Sequence, residues 1–391
     1  MDGALPAGLA EQRRDEPLAL YLHIPWCAVR CGYCDFNTYV LPEHGQALAA
    51  YQTALLAEIE LAATVLGPRP VTSVYFGGGT PTLMPVVGFA TLIDRIRQFF
   101  ALAPTAEIST EANPESLSPA SLAGLRQAGV NRLSLGMQSA VPAVLQVLDR
   151  RHTPGRAVEA VAWARQAGFD QVSLDLMYGT PGESAADWLT TLDQACACQP
   201  DHLSAYSLIV EPGTRLAARI ERGELAAPDE DDLADKYLMA DDRLGQAGLT
   251  WYELSNWARP ESACQHNLAY WRSGDWWGLG AGAHSHAAGV RWWNWRRPAA
   301  YQEPLLRGLS PAQGREVVTA EQHRLERVLL ELRLSSGLDV GLLTDSERAR
   351  IAGIVAAGQA TVTTAADGSQ RLQLTRTGRL LADAVVRDLT D

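Results

Sequence analysis

The sequence predicts an α/β fold, a partial (β/α)6 barrel followed by a C-terminal helical, winged-helix-like domain. Short apolar, β-rich runs alternate with longer helical patterns six times between residue 18 and about residue 210, the rhythm of a parallel sheet with helices outside. The residues able to do chemistry fall at the C-terminal ends of those runs, where barrels of this kind carry their sites. Beyond Ala320 the pattern changes to helices flanking Asp367-Gly368, a hairpin signal.

The elements follow in order. Residues 1–17 contain Arg13 and Arg14 but no apolar core, which predicts a flexible leader and not a secretory signal. Residues 18–210 form the barrel. Its strands are expected at Leu18–Ile24, Val71–Phe76, Ala106–Thr110, Arg132–Gly136, Gln171–Asp175 and His202–Tyr206. Helices are expected at Gln46–Leu66, Val86–Phe99, Ser118–Ala128, Pro142–Val147, Pro154–Ala167 and Ala185–Cys196. Residues 211–310 open with a helical pattern over Asp229–Ala247 and continue as a Trp- and Gly-rich extension. Residues 311–391 hold the C-terminal domain, with helices over Glu321–Leu334, Ser346–Ala357 and Thr377–Leu389 around the hairpin.

Composition narrows the function. The chain of 391 residues has a formal net charge of −12, which disfavours nucleic acid as a partner because phosphate contacts need clustered Lys and Arg. For the same reason the C-terminal domain reads as a lid or docking module. No run has the roughly 20 apolar residues of a membrane span, so the cytoplasm is the expected location. Six cysteines do not make a disulfide scaffold in a chain this long. Three of them, Cys27, Cys31 and Cys34, crowd into one segment after the first strand, which points to metal binding in a reducing compartment.

Thiolates at spacings of four and three residues let one loop wrap one iron–sulfur cluster. A cubane has four irons, so three local ligands leave one iron open to an exchangeable ligand. A structural zinc site would normally close with a fourth ligand. Cys264 stands outside any CxxC or CxxH pattern, and Cys196 and Cys198 lie on a helical pattern as ordinary buried thiols.

Cys-x3-Cys-x2-Cys after a first strand resembles the radical SAM superfamily. The resemblance implies a [4Fe–4S] cluster on Cys27, Cys31 and Cys34, with S-adenosylmethionine (SAM) chelating the open iron. Gly77-Gly78-Gly79-Thr80 ends the second strand, and glycines let a backbone approach a ligand closely. Glu111, Gln138, Arg150 and Asp175 follow in order. Read singly, Glu111 also fits a surface turn, and Arg150 also fits a structural partner for Asp175. As an ordered set they resemble the group that contains the oxygen-independent coproporphyrinogen III oxidases (HemN), over about residues 18–389. That resemblance implies SAM contacts at Tyr21, Tyr33, Gly78, Gly79, Thr80, Glu111, Gln138, Arg150 and Asp175.

Two branches of the group share this shell. The oxidase pattern carries a further cysteine two residues past the third cluster cysteine, where this chain has Phe36. His23-Ile24-Pro25-Trp26-Cys27 with Cys34-Asp35-Phe36-Asn37 instead resembles the heme chaperone (HemW) branch, as does His266-Asn267-Leu268-Ala269-Tyr270-Trp271, an HNxxYW motif. The second branch implies bound heme, an acceptor hemoprotein such as a membrane respiratory enzyme, and no necessary turnover of substrate. Imidazole is a good heme ligand, and aromatic faces suit a macrocycle. His266, Asn267, Tyr270 and Trp271 are therefore the expected heme residues, with His284 and His286 as rival ligands and an aromatic core as the alternative reading. The segment from Trp251 to Trp295 contains eight of the eleven tryptophans.

Overall fold

The computed structural model describes residues 16–42, 46–150 and 153–391. The expected leader lies almost wholly outside the described residues. The barrel strands are β1 (Leu18–Ile24), β2 (Pro70–Gly78), β3 (Ala101–Ala112), β4 (Arg132–Gln138), β5 (Gln171–Tyr178) and β6 (His202–Ser207), all parallel and in sequence order across the sheet. This is the predicted α/β fold with its parallel sheet.

The sheet does not stop at six. Beyond β6 lie β7 (Thr250–Glu253) and β8 (Asn256–Ala258), with β8 antiparallel to both β6 and β7. On the other edge β9 (Asp275–Leu279) runs parallel to β1 and extends the sheet to β10 (His284–Ala287), β11 (Val290–Asn294) and β12 (Ala312–Val317), which pair antiparallel. The Trp-rich extension thus builds both edges of one twelve-stranded sheet.

Side chains alternate across each strand. In β1, Leu18, Leu20, Leu22 and Ile24 face the helix Gln46–Leu66 and share its core with Leu55, Ile59 and Leu66. The opposite positions, Ala19, Tyr21 and His23, face into the barrel. The same alternation turns Ser73 and Tyr75 of β2, Glu107 and Glu111 of β3, Ser134 of β4, Asp175 of β5 and His202 of β6 inward. The barrel interior is therefore polar. Extension residues fill it: His202 bonds Ser173 at 2.7 Å and Tyr252 at 2.9 Å, and Arg132 donates to the Ser262 carbonyl at 2.9 Å.

Buried polar anchors tie the extension to the barrel. Arg69 meets Asp275 at 2.8 Å, joining β2 to β9 with both side chains out of solvent. Glu58, on the helix Gln46–Leu66, accepts from Tyr301 (2.6 Å), Asn294 (2.7 Å) and the Gly280 amide (2.8 Å).

The C-terminal residues have a separate core of Val328, Leu332, Leu338, Ile354, Leu372, Val385 and Leu389. It consists of a three-stranded sheet (Leu338–Asp339, Ala360–Thr364 and Gln370–Leu374) with helices that include Ala320–Glu331, Asp345–Ala356 and Ala382–Thr390. Arg379 docks it to the body, bonding Asp241 at 3.0 Å with its guanidinium 3.9 Å from the Trp251 ring. No helix among the described residues is long and apolar enough to cross a membrane.

Candidate functional site

The three cysteines occupy a loop whose two ends are tied together. Trp26–Cys27 pairs in parallel with Tyr39–Val40, so the chain leaves and returns at one point. The loop is also held from the side. The Gly32 amide donates to the Leu148 carbonyl (3.1 Å), and the Leu216 amide donates to the Gly32 carbonyl (2.9 Å). A side chain at Gly32 would meet the Asp149 carboxylate at 2.5 Å.

Cys27, Cys31 and Cys34 are free thiols at intermediate burial. Burial pushes the Cys27 thiol up to about 11 and raises Cys34 as well, so thiolates here need positive charge. Arg150 supplies some, with Nη1 3.8 Å from Cys31 Sγ and Nη2 donating to the Gly136 carbonyl at 2.7 Å. Among the described residues no three His, Cys, Asp or Glu side chains converge as the ligands of one ion do. Three thiols on one loop are a donor set that fits an iron–sulfur cluster.

The glycine turn lies directly against this loop. Gly79 donates to the Ile24 carbonyl at 2.8 Å and Thr80 to the Trp26 carbonyl at 2.7 Å. Gly78 has φ +112°, and a Cβ there would meet the His23 ring at 2.5 Å; a Cβ on Gly79 would meet the Trp26 carbonyl oxygen at 2.5 Å. These glycines are required for packing as much as for any ligand. The Gly78 amide donates to Glu111 Oε2 (3.0 Å), and the Tyr75 hydroxyl donates to Glu111 Oε1 (3.1 Å). Burial, reinforced by the Asp175 charge, pushes the Glu111 carboxyl up to about 7.

Gln138 ends β4 at φ +63°, where the register against β5 shifts. A non-glycine residue held in the left-handed region is strained, and such strain gathers at ligand sites. Asp175 accepts from the Ser134 hydroxyl at 2.8 Å and 3.0 Å. The alternative of an Arg150–Asp175 ion pair is not what the described residues form: Arg150 turns to Cys31 and Gly136, and its buried Nε has no hydrogen-bond partner among them. Tyr21 bonds His23 Nδ1 through its hydroxyl (3.0 Å). Tyr33 sits beside Arg150 and packs against Val144, Leu148 and Leu216. The structure thus brings Tyr21, Tyr33, Gly78, Gly79, Thr80, Glu111, Gln138, Arg150 and Asp175 to one end of the barrel, around the cysteines.

The HNxxYW segment forms the short helix Gln265–Trp271, which packs on β2 inside the barrel. Here the expectation of His266 as an iron ligand meets a closed site. His266 is buried; its Nδ1 is 3.0 Å from the Ser73 hydroxyl and its Nε2 2.8 Å from the Tyr270 hydroxyl, so neither nitrogen is left for a metal. Burial lowers its pKa to about 3, and the ring stays neutral. Asn267 donates to Glu253 at 2.8 Å, Tyr270 is committed to His266, and Trp271 packs on a small core of Tyr252, Ala258, Leu268 and Leu334. Sequence reasoning missed their partners. Ser73 and Glu107 carry no motif, although Glu107 accepts from the Gln265 and His266 amides at 3.1 Å. The signal that could have found them is the polar identity of every second residue in these strands.

A family model described as the radical SAM superfamily matches residues 21–195. A heme chaperone HemW from Mycobacterium tuberculosis is 50% identical over 375 residues, covering 96% of this chain and 95% of the relative. The heme chaperone HemW of Escherichia coli is 40% identical, covering 68% of this chain and 70% of that protein. Among solved structures, the coproporphyrinogen III oxidase HemN of Escherichia coli superposes with a TM-score of 0.84, covering 97% of this chain and 92% of that one at 24% identity. That likeness shows a shared fold.

Proposed function

Because the chain belongs to the HemW family of the radical SAM superfamily, we propose that it binds heme and passes it to an acceptor hemoprotein. On this reading it carries one [4Fe–4S] cluster on Cys27, Cys31 and Cys34, with SAM on the iron those thiols leave open. The acceptor is a heme-dependent protein such as a membrane respiratory enzyme, the compartment is the cytoplasm, and nucleic acid has no part. The observation that carries the reading is the cysteine loop itself. It has three half-buried thiols beside Arg150, and Phe36, 61% exposed, stands where the oxidase pattern has a further cysteine.

The residues divide the work as follows. The three thiolates hold the cluster, and Arg150 offsets their charge at Cys31. The turn at Gly78–Thr80, with Glu111 hydrogen-bonded to the Gly78 amide, would contact SAM together with Gln138, Asp175, Tyr21 and Tyr33. When bound, such a cluster would supply an electron for the reductive cleavage of SAM. Here that chemistry serves heme handling or its regulation, because no thiol stands at position 36. The helix Gln265–Trp271 closes the barrel interior, and heme lies outside it.

The test uses anaerobically reconstituted protein. Heme titration is expected to give a saturable Soret shift at one heme per chain. With SAM, reductant and coproporphyrinogen III, no protoporphyrinogen is expected. Robust formation of that product would replace the carrier reading with the oxidase reading.

A further inference from the structure

We propose that heme docks on the barrel-side face of the antiparallel edge β9–β12, at its exposed margin, with His284 as its axial ligand and Arg296 and Arg297 on its propionates. This rests on the heme-carrier reading and names its site.

The described histidines separate by what their rings already do. His23 is committed at both nitrogens, to the Tyr21 hydroxyl (3.0 Å) and the Asn37 carbonyl (2.9 Å). His202 is committed to Ser173 and Tyr252, and His266 to Ser73 and Tyr270. His286 is buried against Trp276, with Nδ1 3.3 Å from the Gly274 carbonyl; its Nε2 has no partner among the described residues but is shut off from solvent, and the half-buried His323 ring stacks on it at 6.0 Å. His44 and His152 lie outside the described residues. His284 is exposed, and its ring makes no hydrogen bond with the described residues. Partial burial and the nearby Arg296 lower its pKa, which keeps the imidazole in the neutral, metal-binding form.

Its neighbours suit a macrocycle. Register places His284 opposite Trp293, with ring centroids 6.1 Å apart, and the bond from the Gly282 amide to the Trp295 carbonyl carries the pairing one step further. Pairing therefore puts Trp293 on the face that carries His284, and Trp295 follows one residue past the end of β11. Trp295 is 42% exposed. The Trp293 indole covers Gly314, where a Cβ would meet it at 2.6 Å, so the strand beneath offers no competing side chain. On β9, Trp276 donates to the His284 carbonyl at 3.0 Å and extends the aromatic surface inward.

Charge selects the occupant. Arg296 and Arg297 are exposed and form no ion pair among the described residues, whereas Arg291 on β11 is tied to Glu316 and Glu326 at 2.8 Å each. In a chain of net charge −12, two free guanidiniums beside exposed indole and imidazole match an iron tetrapyrrole with two carboxylates. The face is also braced to the cluster loop: Asn37 donates to the Ala281 and Arg296 carbonyls at 2.9 Å each.

The experiment is hemin titration of the reconstituted full chain, read by the Soret band and by tryptophan quenching. His284→Ala is expected to weaken hemin at least tenfold and to change the ferric spectrum, with SAM affinity unchanged. His266→Gln is expected to keep wild-type hemin affinity. Iron-free protoporphyrin is expected to bind wild type and His284→Ala equally, because it has no metal to ligate, and Arg296→Glu/Arg297→Glu is expected to weaken both porphyrins. Wild-type hemin binding by His284→Ala would overturn the proposal and leave the carrier reading standing, as would loss confined to a folded His266→Gln. Failure of the wild type to bind hemin at all would overturn both.

Discussion

Gly79→Ala should separate the cysteine loop from the turn beneath it. The new methyl would lie 2.5 Å from the Trp26 carbonyl oxygen, 2.9 Å from its carbon and 3.0 Å from the Ile24 oxygen. All three are backbone atoms, so no side chain can swing aside. Ordinary contact begins near 3.4 Å, so loop and turn must part by roughly 0.9 Å. Overpacking of this kind costs about 1–3 kcal/mol. The displacement falls one residue before Cys27 and on the turn that hydrogen-bonds Glu111. Iron and sulfide per chain after anaerobic reconstitution should fall well below wild type, and the SAM Kd should rise at least tenfold, with a drop of a few degrees in the apo Tm. Gly353→Ala is the control. It sits within a helix with open space at its Cβ, and it should stabilise by up to about 1 kcal/mol. Wild-type cluster content and SAM affinity in Gly79→Ala would refute the argument.

Other consequences follow from the buried polar groups. Burial, against four hydrogen-bond donors, holds the Glu58 carboxyl at about 7, above its ordinary 4.5. A carboxyl raised on folding stabilises the fold when protonated, so its contribution is complete below pH 4.5 and is lost as the pH rises through 7; at about 1.4 kcal/mol per pKa unit the span is about 3 kcal/mol. Glu58→Gln should flatten that part of the stability–pH curve, read by urea denaturation, and an unchanged slope would contradict it. Asp275→Ala leaves the buried Arg69 guanidinium without its carboxylate and should cost about 3–5 kcal/mol, with Arg69→Met/Asp275→Leu recovering much of it. Arg150→Met removes positive charge and an N–H donor from Cys31, so the cluster's midpoint potential in an EPR-monitored titration should fall; no change would mean that Arg150 acts only on Gly136.

The parts legible in the sequence were those written locally. Strand alternation in Leu18–Ile24 and its five successors gave the parallel sheet, and the spacing of Cys27, Cys31 and Cys34 announced one loop around one object. What stayed hidden depended on partners remote along the chain. β9 inserts beside β1 through Arg69 and Asp275, and no local pattern marks it as a seventh parallel strand. The tryptophans cluster in sequence but divide in space: Trp277 packs edge-on to Trp292, Trp257 lies on Tyr237, and Trp251 lies under Arg379. A histidine's type does not say which groups meet its nitrogens, and in His266 these are Ser73 and Tyr270.

That closed interior recasts the HNxxYW segment. Its histidine stacks on Tyr75 with centroids 5.1 Å apart, and the Tyr75 hydroxyl holds Glu111, so the motif bears on the proposed SAM contact through one ring. Tyr75→Phe isolates this link. It keeps the stack with His266 and deletes one of the two donors that hold Glu111 against burial. With one donor gone, the carboxyl should protonate more readily and lose its orientation. A lost bond to a charged group is worth about 1.5–3 kcal/mol, which predicts a SAM Kd roughly tenfold or more higher. Hemin affinity should not change, because the proposed heme ligand is His284 on β10 and Tyr75→Phe leaves the His266 stack in place. The reverse outcome, with SAM affinity intact and hemin lost, would mean that the segment serves the cargo directly.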